Sequence, residues 1–443
     1  MLNLNIKYHL GPKHSNAATT LLCAAFIMLI LFSVFIPNVT EDYTGSLYIA
    51  CHIGLTIIML LAWWLNSRNP SSNKQLWIMY GAVAAQIILL MASPFTTHDT
   101  QRYLWDGAVF LNGLDPYITT PNDPEAAYLR TIWPTPAEHA KYPTIYPPAA
   151  IGIFAFAAMF GSTLGPLIWK ILIALTTIAT IVSGRKLLIL YGKSENLPLF
   201  ALSPLLMLET GIGGHLDVFC VLLVTLSLIC WKQERYGLTG LFLGLCFTIK
   251  FLPAVILFPL AINAGFPRLN HKTLSLCSSF AASVIAVYGG FILLGYEVIG
   301  VLPTFIEKWR FGSPLFSLAS NLVSGQALII TIAAIALLML MLVYKVSRTS
   351  PILGCQIMYA IPLLISPVVF PWYLCAFVPL FAIRPTATIL LWSSALPLTY
   401  EVINQYNASG IWEIATWPIG VIATAILIGI GLDTTPSNTP IKH

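Results

Sequence analysis

The chain has 443 residues, of which 57% are hydrophobic and only 9% are Asp, Glu, Lys or Arg. Soluble domains carry about 25% charged residues, so this composition excludes a water-soluble globule of this size and predicts an all-α polytopic membrane protein. The net charge of +5 is small and gives no basis for a nucleic-acid partner.

Apolar runs long enough, or nearly long enough, to cross a bilayer recur along the whole chain. The run at 237–264 holds Lys250 and Pro253 near its middle, which predicts two short helices that meet at the outer face. Counting it as two, we expect about 12–14 transmembrane helices. The runs lie at 17–37, 46–65, 76–93, 164–184, 197–212, 216–231, 237–264, 273–295, 326–346, 352–367, 371–384, 386–402 and 412–431.

Lys and Arg in the short loops predict the orientation. With the N-terminus in the cytoplasm, 15 of the 22 Lys and Arg residues fall on the inner side and 5 on the outer side. The longest polar segment, between Pro94 and Pro148, then lies on the non-cytoplasmic side. We therefore expect N-terminal transmembrane helices in 1–93, a non-cytoplasmic catalytic loop in 94–150 and a transmembrane helical core in 151–443.

The long segment is rich in aromatic residues and opens with the sequence "THDTQRYLWDGAVFLNGLDPY" (97–117). Its polar side chains Asp99, Arg102, Tyr103 and Asp106 have the spacing i, i+3, i+4, i+7, which places them on one face of a helix. We expect an interfacial helix that Pro116 ends. The alternative is that Asp99 and Arg102 simply form a surface ion pair.

Other polar groups interrupt the apolar runs and are functional candidates for that reason. "LETGIGGHLDVF" places Glu209, His215 and Asp217 around a Gly-rich break, where a solvated turn is the alternative. Lys250 precedes a proline, and snorkelling to the interface is its alternative. Arg310 lies in a second outer loop, about 296–325. All of these groups are predicted to converge on the outer face and to line a cavity there.

A cavity with carboxylates, cations and aromatic rings beside lipid suits the transfer of a sugar from a lipid phosphate. That reaction needs a carboxylate to deprotonate the acceptor, for which Asp99 is suitable. It also needs cations for the departing phosphate, and Arg102, Lys250 or Arg310 are the candidates. A transporter or flippase of a polar or lipid-linked solute is the main alternative, although no internal repeat is found. A non-catalytic scaffold leaves the Asp99 face unexplained.

Several short motifs resemble those of bacterial membrane glycosyltransferases with the GT-C fold, in the mannosyltransferase-like group that uses polyprenyl-phosphate sugars. The motifs are "RYLWDG", "DPY", "IYPP", "LSPLLMLETGIGGHLD", "GLFLGLCFTIKFLP" and "PWYL". The likeness extends from about Ser93 to Leu380, so the two helices before residue 76 are expected to lie outside the shared core. The chain departs from the family in two places. The acidic pair that is usual in the family is His98-Asp99 here, and Phe370 lies where a polar residue is common.

The resemblance implies an inverting transfer of a hexose, with mannose the first choice, from a polyprenyl-phosphate donor to a lipid or glycan acceptor. The site would lie on the non-cytoplasmic side of the bacterial plasma membrane, with Asp99 as the general base. It implies no cofactor and requires no metal, although Asp99 and Asp106 could bind one. The residues expected to contact substrate are Arg102, Tyr103, Asp106, Glu209, His215, Asp217, Lys250 and Arg310.

Overall fold

The computed structural model describes residues 12–435, and its regular structure is helical. Within these residues the β-structure is limited to one bridge between Phe311 and Val368. Short 3₁₀ turns and one π-helical turn, Leu205–Glu209, interrupt or extend the α-helices. Helices α1 to α21 are, in order, Pro12–Val34, Ile36–Val39, Thr44–Arg68, Ser72–Leu89, Asp99–Leu111, Ala127–Arg130, Pro148–Ala158, Gly161–Leu190, Leu197–Ala201, Asp217–Lys232, Tyr236–Phe247, Leu257–Ala264, His271–Leu293, Leu302–Lys308, Pro314–Leu322, Gly325–Ser347, Pro351–Ile365, Phe377–Ile383, Ala387–Ala395, Glu401–Ser409 and Thr416–Thr434.

The helices confirm an all-α polytopic membrane protein. Six of them in the described range are long and apolar enough to cross a bilayer, namely α1 from Asn16, α3, α8, α13, α16 and α21. Shorter apolar helices lie among them, at Pro148–Ala158, Tyr236–Phe247, Leu252–Ala264, Pro351–Ile365 and Pro371–Ile383. Such short helices are stable at membrane depth only where other parts of the protein bury their ends.

One interruption of an apolar run was predicted from the sequence, and one short helix was not. The run at 237–264 is divided into Tyr236–Phe247 and Leu252–Ala264, as the proline predicted. Helix α7, Pro148–Ala158, was not among the predicted spans because its 11 residues are too few to cross a bilayer. It is instead a short helix that packs between α5 and α8.

The basic loops meet at one end of the bundle. Asn66 Nδ2 donates a hydrogen bond to the Glu195 carbonyl at 2.9 Å. Asn196 Nδ2 donates to the Ala382 carbonyl at 2.8 Å. These bonds join the loop after α8 to the last turns of α3 and α18. The Lys and Arg residues near all three places were predicted to lie on the same side of the membrane.

The long polar segment folds at the opposite end, which we call the loop end. Thr144 connects its parts, because its N–H donates to the Pro116 carbonyl at 2.9 Å and its carbonyl accepts from Val301 N–H at 3.1 Å. Asp115 Oδ2 accepts from Glu297 N–H at 2.8 Å. The first and second long loops therefore form one layer over the helix ends.

Helix α5 is present as predicted, but it ends at Leu111, five residues before Pro116. Gly113, with a φ of 74°, stops it earlier, because a left-handed residue just past the last turn terminates a helix. The face that carries Arg102, Tyr103 and Asp106 is buried against the protein. It is therefore a packing face as well as a polar one.

Gly107 fixes the distance between α5 and α7. A Cβ added at Gly107 would lie 2.4 Å from the Phe154 backbone carbon, which cannot move as the end of a side chain can. Gly152 of α7 faces open space, since a Cβ there would meet nothing within 4 Å.

We expect Gly107→Ala to separate α5 from α7 and to destabilise the protein by about 1–3 kcal/mol, the usual cost of overpacking. Thermal unfolding in detergent micelles would measure this loss, with Gly152→Ala as the matched control. Gly152→Ala should unfold at the wild-type temperature. A Gly107→Ala protein as stable as wild type would show that the two backbones are not in close contact.

Candidate functional site

Asp99 is the first residue of α5 and is the carboxylate of the site that is open to solvent, with 21% of its side chain exposed. Its Oδ2 accepts a hydrogen bond from the Tyr103 hydroxyl at 3.3 Å. The Nδ1 atom of His215 lies 3.5 Å from the same oxygen. Asp99 is thus supported from two sides and remains accessible from a third.

The charge of Asp99 follows from these neighbours. Burial alone raises the pKa of this carboxyl, but His215, and to a smaller extent His139 and Thr97, lower it to about 2. A group with a lowered pKa is ionised at every pH above that value. Asp99 is therefore a carboxylate throughout the neutral range.

His215 lies in the turn between the π-helical turn and α10, where Gly214 adopts a φ of 66°. The indole N–H of Trp169 donates to the Gly214 carbonyl at 2.9 Å and holds the turn in place. The His215 ring stacks on Trp372 with a centroid distance of 3.7 Å and an interplanar angle of 17°. Phe370 stacks on the other side of Trp372, at 4.3 Å.

Lys250 and Asp217 form an ion pair next to this stack. Lys250 Nζ lies 2.7 Å and 2.9 Å from the two Asp217 carboxylate oxygens, and 4.2 Å from the centre of the Tyr373 ring. The preceding turn is joined to the start of α7, because Ala149 N–H donates to the Thr248 carbonyl at 2.9 Å. Lys250 is therefore held at the loop end by its ion pair and by the backbone.

Tyrosine rings connect Asp99 with the Lys250–Asp217 pair. Tyr103 and Tyr146 are in edge-to-face contact at 5.2 Å. Burial raises the pKa of both hydroxyls, and the charges of Asp99 and Asp217 raise them further. Both hydroxyls consequently stay protonated, and that of Tyr103 donates its hydrogen to Asp99.

Arg102 and Asp106 are paired beneath this surface. Arg102 Nε donates to Asp106 Oδ1 at 2.9 Å, and Nη1 donates to the carbonyls of His139 and Tyr142 at 3.2 Å and 2.7 Å. Nη2 is buried and has no hydrogen-bond partner among the described residues. Burial raises the pKa of Asp106, although Arg102 opposes this shift. The guanidinium thus holds the long segment to α5 and keeps the two N–H donors of Nη2 for a further partner.

Glu209 is fully buried, at the end of the π-helical turn. Its Oε2 accepts from the Tyr400 hydroxyl at 2.5 Å and lies 3.9 Å from His215 Nε2. Its Oε1 lies 3.3 Å from His52 Nε2. Glu209 is therefore behind the site rather than in contact with its open side.

Arg310 lies apart from these pairs. Its side chain is exposed, donates to the Trp309 carbonyl at 2.6 Å and covers the Phe316 ring. The next residue, Phe311, is hydrogen-bonded to the turn that carries Phe370. Arg310 is thus at the rim of the loop end, and the other eight predicted residues lie on or beneath the site.

The sequence analysis assigned no site role to four residues that lie around the site, namely His52, Tyr146, Trp372 and Tyr400, although Tyr146 and Trp372 belong to the motifs IYPP and PWYL. His52 had a usable signal, since it is an imidazole within the apolar helix α3 and ionisable groups in such helices are uncommon. Trp372 and Tyr400 are aromatic residues of a kind that apolar segments contain for packing alone. Within residues 12–435, no group of three or more His, Cys, Asp or Glu side chains is arranged to hold a metal ion.

Comparison with protein families gives one match over residues 25–265, to the model described as "Alpha-(1->6)-mannopyranosyltransferase, N-terminal domain". The match begins well before residue 76, so the expectation that the first two helices lie outside the shared core is wrong. Curated proteins and solved structures yield no match.

The match also favours a glycosyltransferase over the transporter or flippase. It covers more than half of the 443 residues, and the chain therefore belongs to the alpha-(1->6)-mannopyranosyltransferase family of membrane glycosyltransferases.

Proposed function

We propose that this protein transfers mannose from a polyprenyl-phosphate donor to a glycan or lipid acceptor on the non-cytoplasmic side of the bacterial plasma membrane. The observation that carries the proposal is the position of Asp99, an ionised and partly exposed carboxylate at the same end of the bundle as the Lys250–Asp217 ion pair. The distribution of Lys and Arg supports the orientation. The GT-C type of fold is part of the same proposal.

The reaction is one direct displacement. Asp99 accepts the proton of the acceptor hydroxyl, whose oxygen attacks the anomeric carbon of the sugar. The bond from that carbon to the phosphate oxygen breaks, and its electron pair leaves with the phosphate. Inversion of a β-linked phosphomannose gives an α-mannoside, which agrees with the "alpha" of the family description.

Lys250 and Arg102 bind the phosphate in this proposal. Lys250 has three N–H donors, and Asp217 accepts two of them, so one is left for a phosphate oxygen. Arg102 offers its unpartnered Nη2. Tyr103, whose hydrogen is donated to Asp99, accepts a hydrogen bond from a sugar hydroxyl, while Asp106 and Asp217 hold the two cations in place. Arg310 at the rim meets the phosphate of an arriving donor.

We expect Asp99→Asn to lower transfer by about 100-fold or more, because the amide cannot accept the acceptor proton. Purified protein in nanodiscs would be assayed with radiolabelled polyprenyl-phosphate mannose, with membrane-lipid extract and a mannose oligosaccharide as alternative acceptors. The matched control is Asp42→Asn, an exposed carboxylate outside the site. α-Mannosidase should release the label from the product. Full transfer by Asp99→Asn would remove Asp99 from the chemistry, and a β-mannoside would exclude inversion.

We expect Lys250→Met to destabilise the protein by about 3–5 kcal/mol, because it leaves the buried Asp217 carboxylate without a counter-charge. The double variant Lys250→Met/Asp217→Asn should recover most of this stability and still lack transfer. Thermal unfolding and the transfer assay would separate the two effects, with the exposed Lys308→Met as control. A double variant that transfers mannose at the wild-type rate would show that Lys250 does not bind the phosphate.

A further inference from the structure

A row of buried charged and polar groups runs from Asp99 into the bundle. His215 lies between two carboxylates, with Nδ1 at 3.5 Å from Asp99 Oδ2 and Nε2 at 3.9 Å from Glu209 Oε2. The side chains of His215 and Glu209 are both 0% exposed. Neither side chain is exposed to solvent, so the two carboxylates are the charged groups that the ring nitrogens face.

The His215 ring is fixed on its face as well as at its edges. Trp372 stacks on it at 3.7 Å, and Phe370 stacks on Trp372 nearly in parallel, with an interplanar angle of 5°. Rotation of the imidazole would break this stack. Phe370 is therefore part of the support for His215. It is also the position at which the sequence departs from the polar residue common in the glycosyltransferases that it resembles.

Glu209 is anchored from the side remote from Asp99. Tyr400 donates a hydrogen bond to it, and His52 of α3 faces its other oxygen at 3.3 Å. A buried carboxylate is stable only when such partners replace water. Tyr48 of α3 is also close, in edge-to-face contact with both His52 and Tyr400. Glu209 thus has a fixed position that does not depend on substrate.

We propose that Glu209 and His215 are positioning residues for Asp99, and that Tyr400 and His52 hold Glu209 in place for this purpose. Glu209 faces Nε2 of the His215 ring and so keeps Nδ1 turned toward Asp99, and His215 keeps Asp99 an ionised carboxylate directed at the acceptor. The inference rests on the proposed role of Asp99 as the base. It extends the site to α3, a helix in which the sequence motifs indicated no chemistry.

The direction of the effect on Asp99 follows from the groups around it. Tyr103 and Tyr146 face it from α5 and the long segment, and His139 acts from the same segment. Tyr373 lies near it on the side of Lys250. Burial raises the pKa of Asp99, and His215 is the main group that lowers it. Without His215, burial dominates and protonation of Asp99 moves to higher pH.

Infrared titration of purified protein would test the inference without any transfer assay. The band of a protonated carboxyl would be followed with pH, and each spectrum would be compared with that of the same protein carrying Asp99→Asn. In wild type, Asp99 should stay ionised across the accessible acid range, in keeping with its pKa of about 2. In His215→Gln its midpoint should rise by at least about one pH unit, as expected when the main group that opposes the effect of burial is removed.

Glu209→Gln should move the midpoint in the same direction by less, because the ring is still present but is no longer held. His52→Gln and Tyr400→Phe are milder variants for use if Glu209→Gln does not fold, and each should also raise the midpoint. His271→Gln, at the other end of the bundle, is the control and should leave it unchanged. The proposal is overturned if Asp99 titrates in His215→Gln as it does in wild type.

The infrared titration tests the positioning residues, and the transfer assay tests the role of Asp99 as the base, so the two claims can be rejected independently. A raised midpoint together with full transfer by Asp99→Asn would keep the link between His215 and Asp99 and reject the base role of Asp99. An unchanged midpoint with loss of transfer in Asp99→Asn would keep the base and reject the positioning residues. In the transfer assay, His215→Gln should lose rate most at acid pH, which a purely structural role would not produce.

Discussion

Backbone groups freed where a helix breaks must be hydrogen-bonded inside the protein, because hydrocarbon offers them no partner. At the loop end, each break is satisfied by another part of the chain: Thr248 by Ala149, Gly214 by Trp169, Tyr373 by Tyr359 and Phe311 by Val369. These bonds draw the breaks together around the start of α5. The position of Asp99, Lys250 and His215 in one place is a consequence of this constraint.

The carboxylates at the loop end have two different roles. Asp106 and Asp217 neutralise cations, Arg102 and Lys250, that would otherwise be unpaired in apolar surroundings. Asp99 faces the neutral tyrosines and His215, and it is the carboxylate of the site with an open side. In the proposed reaction a sugar phosphate therefore meets a base and a cation together, since Asp99 and Lys250 are not paired with each other.

The sequence was sufficient for the elements whose signal is local. Helix α5 and its polar face followed from spacing, and Lys250, His215 and Asp217 stood out because polar groups are rare in apolar runs. The early end of α5 was missed because Gly113 ends the helix before the chain reaches Pro116.

Partners such as His52 and Tyr400 could not be paired with Glu209 from the sequence, since 157 and 191 residues separate them and only packing brings them together. The number of helices that cross the whole membrane could not be predicted from the sequence either. Short helices such as α7 are stabilised by their neighbours rather than by their length.

A cryo-electron microscopy structure with a polyprenyl phosphonomannose, in which a methylene group replaces the cleaved oxygen, would test the central claim most directly. We expect the phosphonate to lie within hydrogen-bonding distance of Lys250 Nζ. We also expect the anomeric carbon to face Asp99, with the prenyl chain leaving between helices toward lipid. A phosphonate bound away from Lys250 and Arg102, at the end of the bundle that carries the basic loops, would contradict the account.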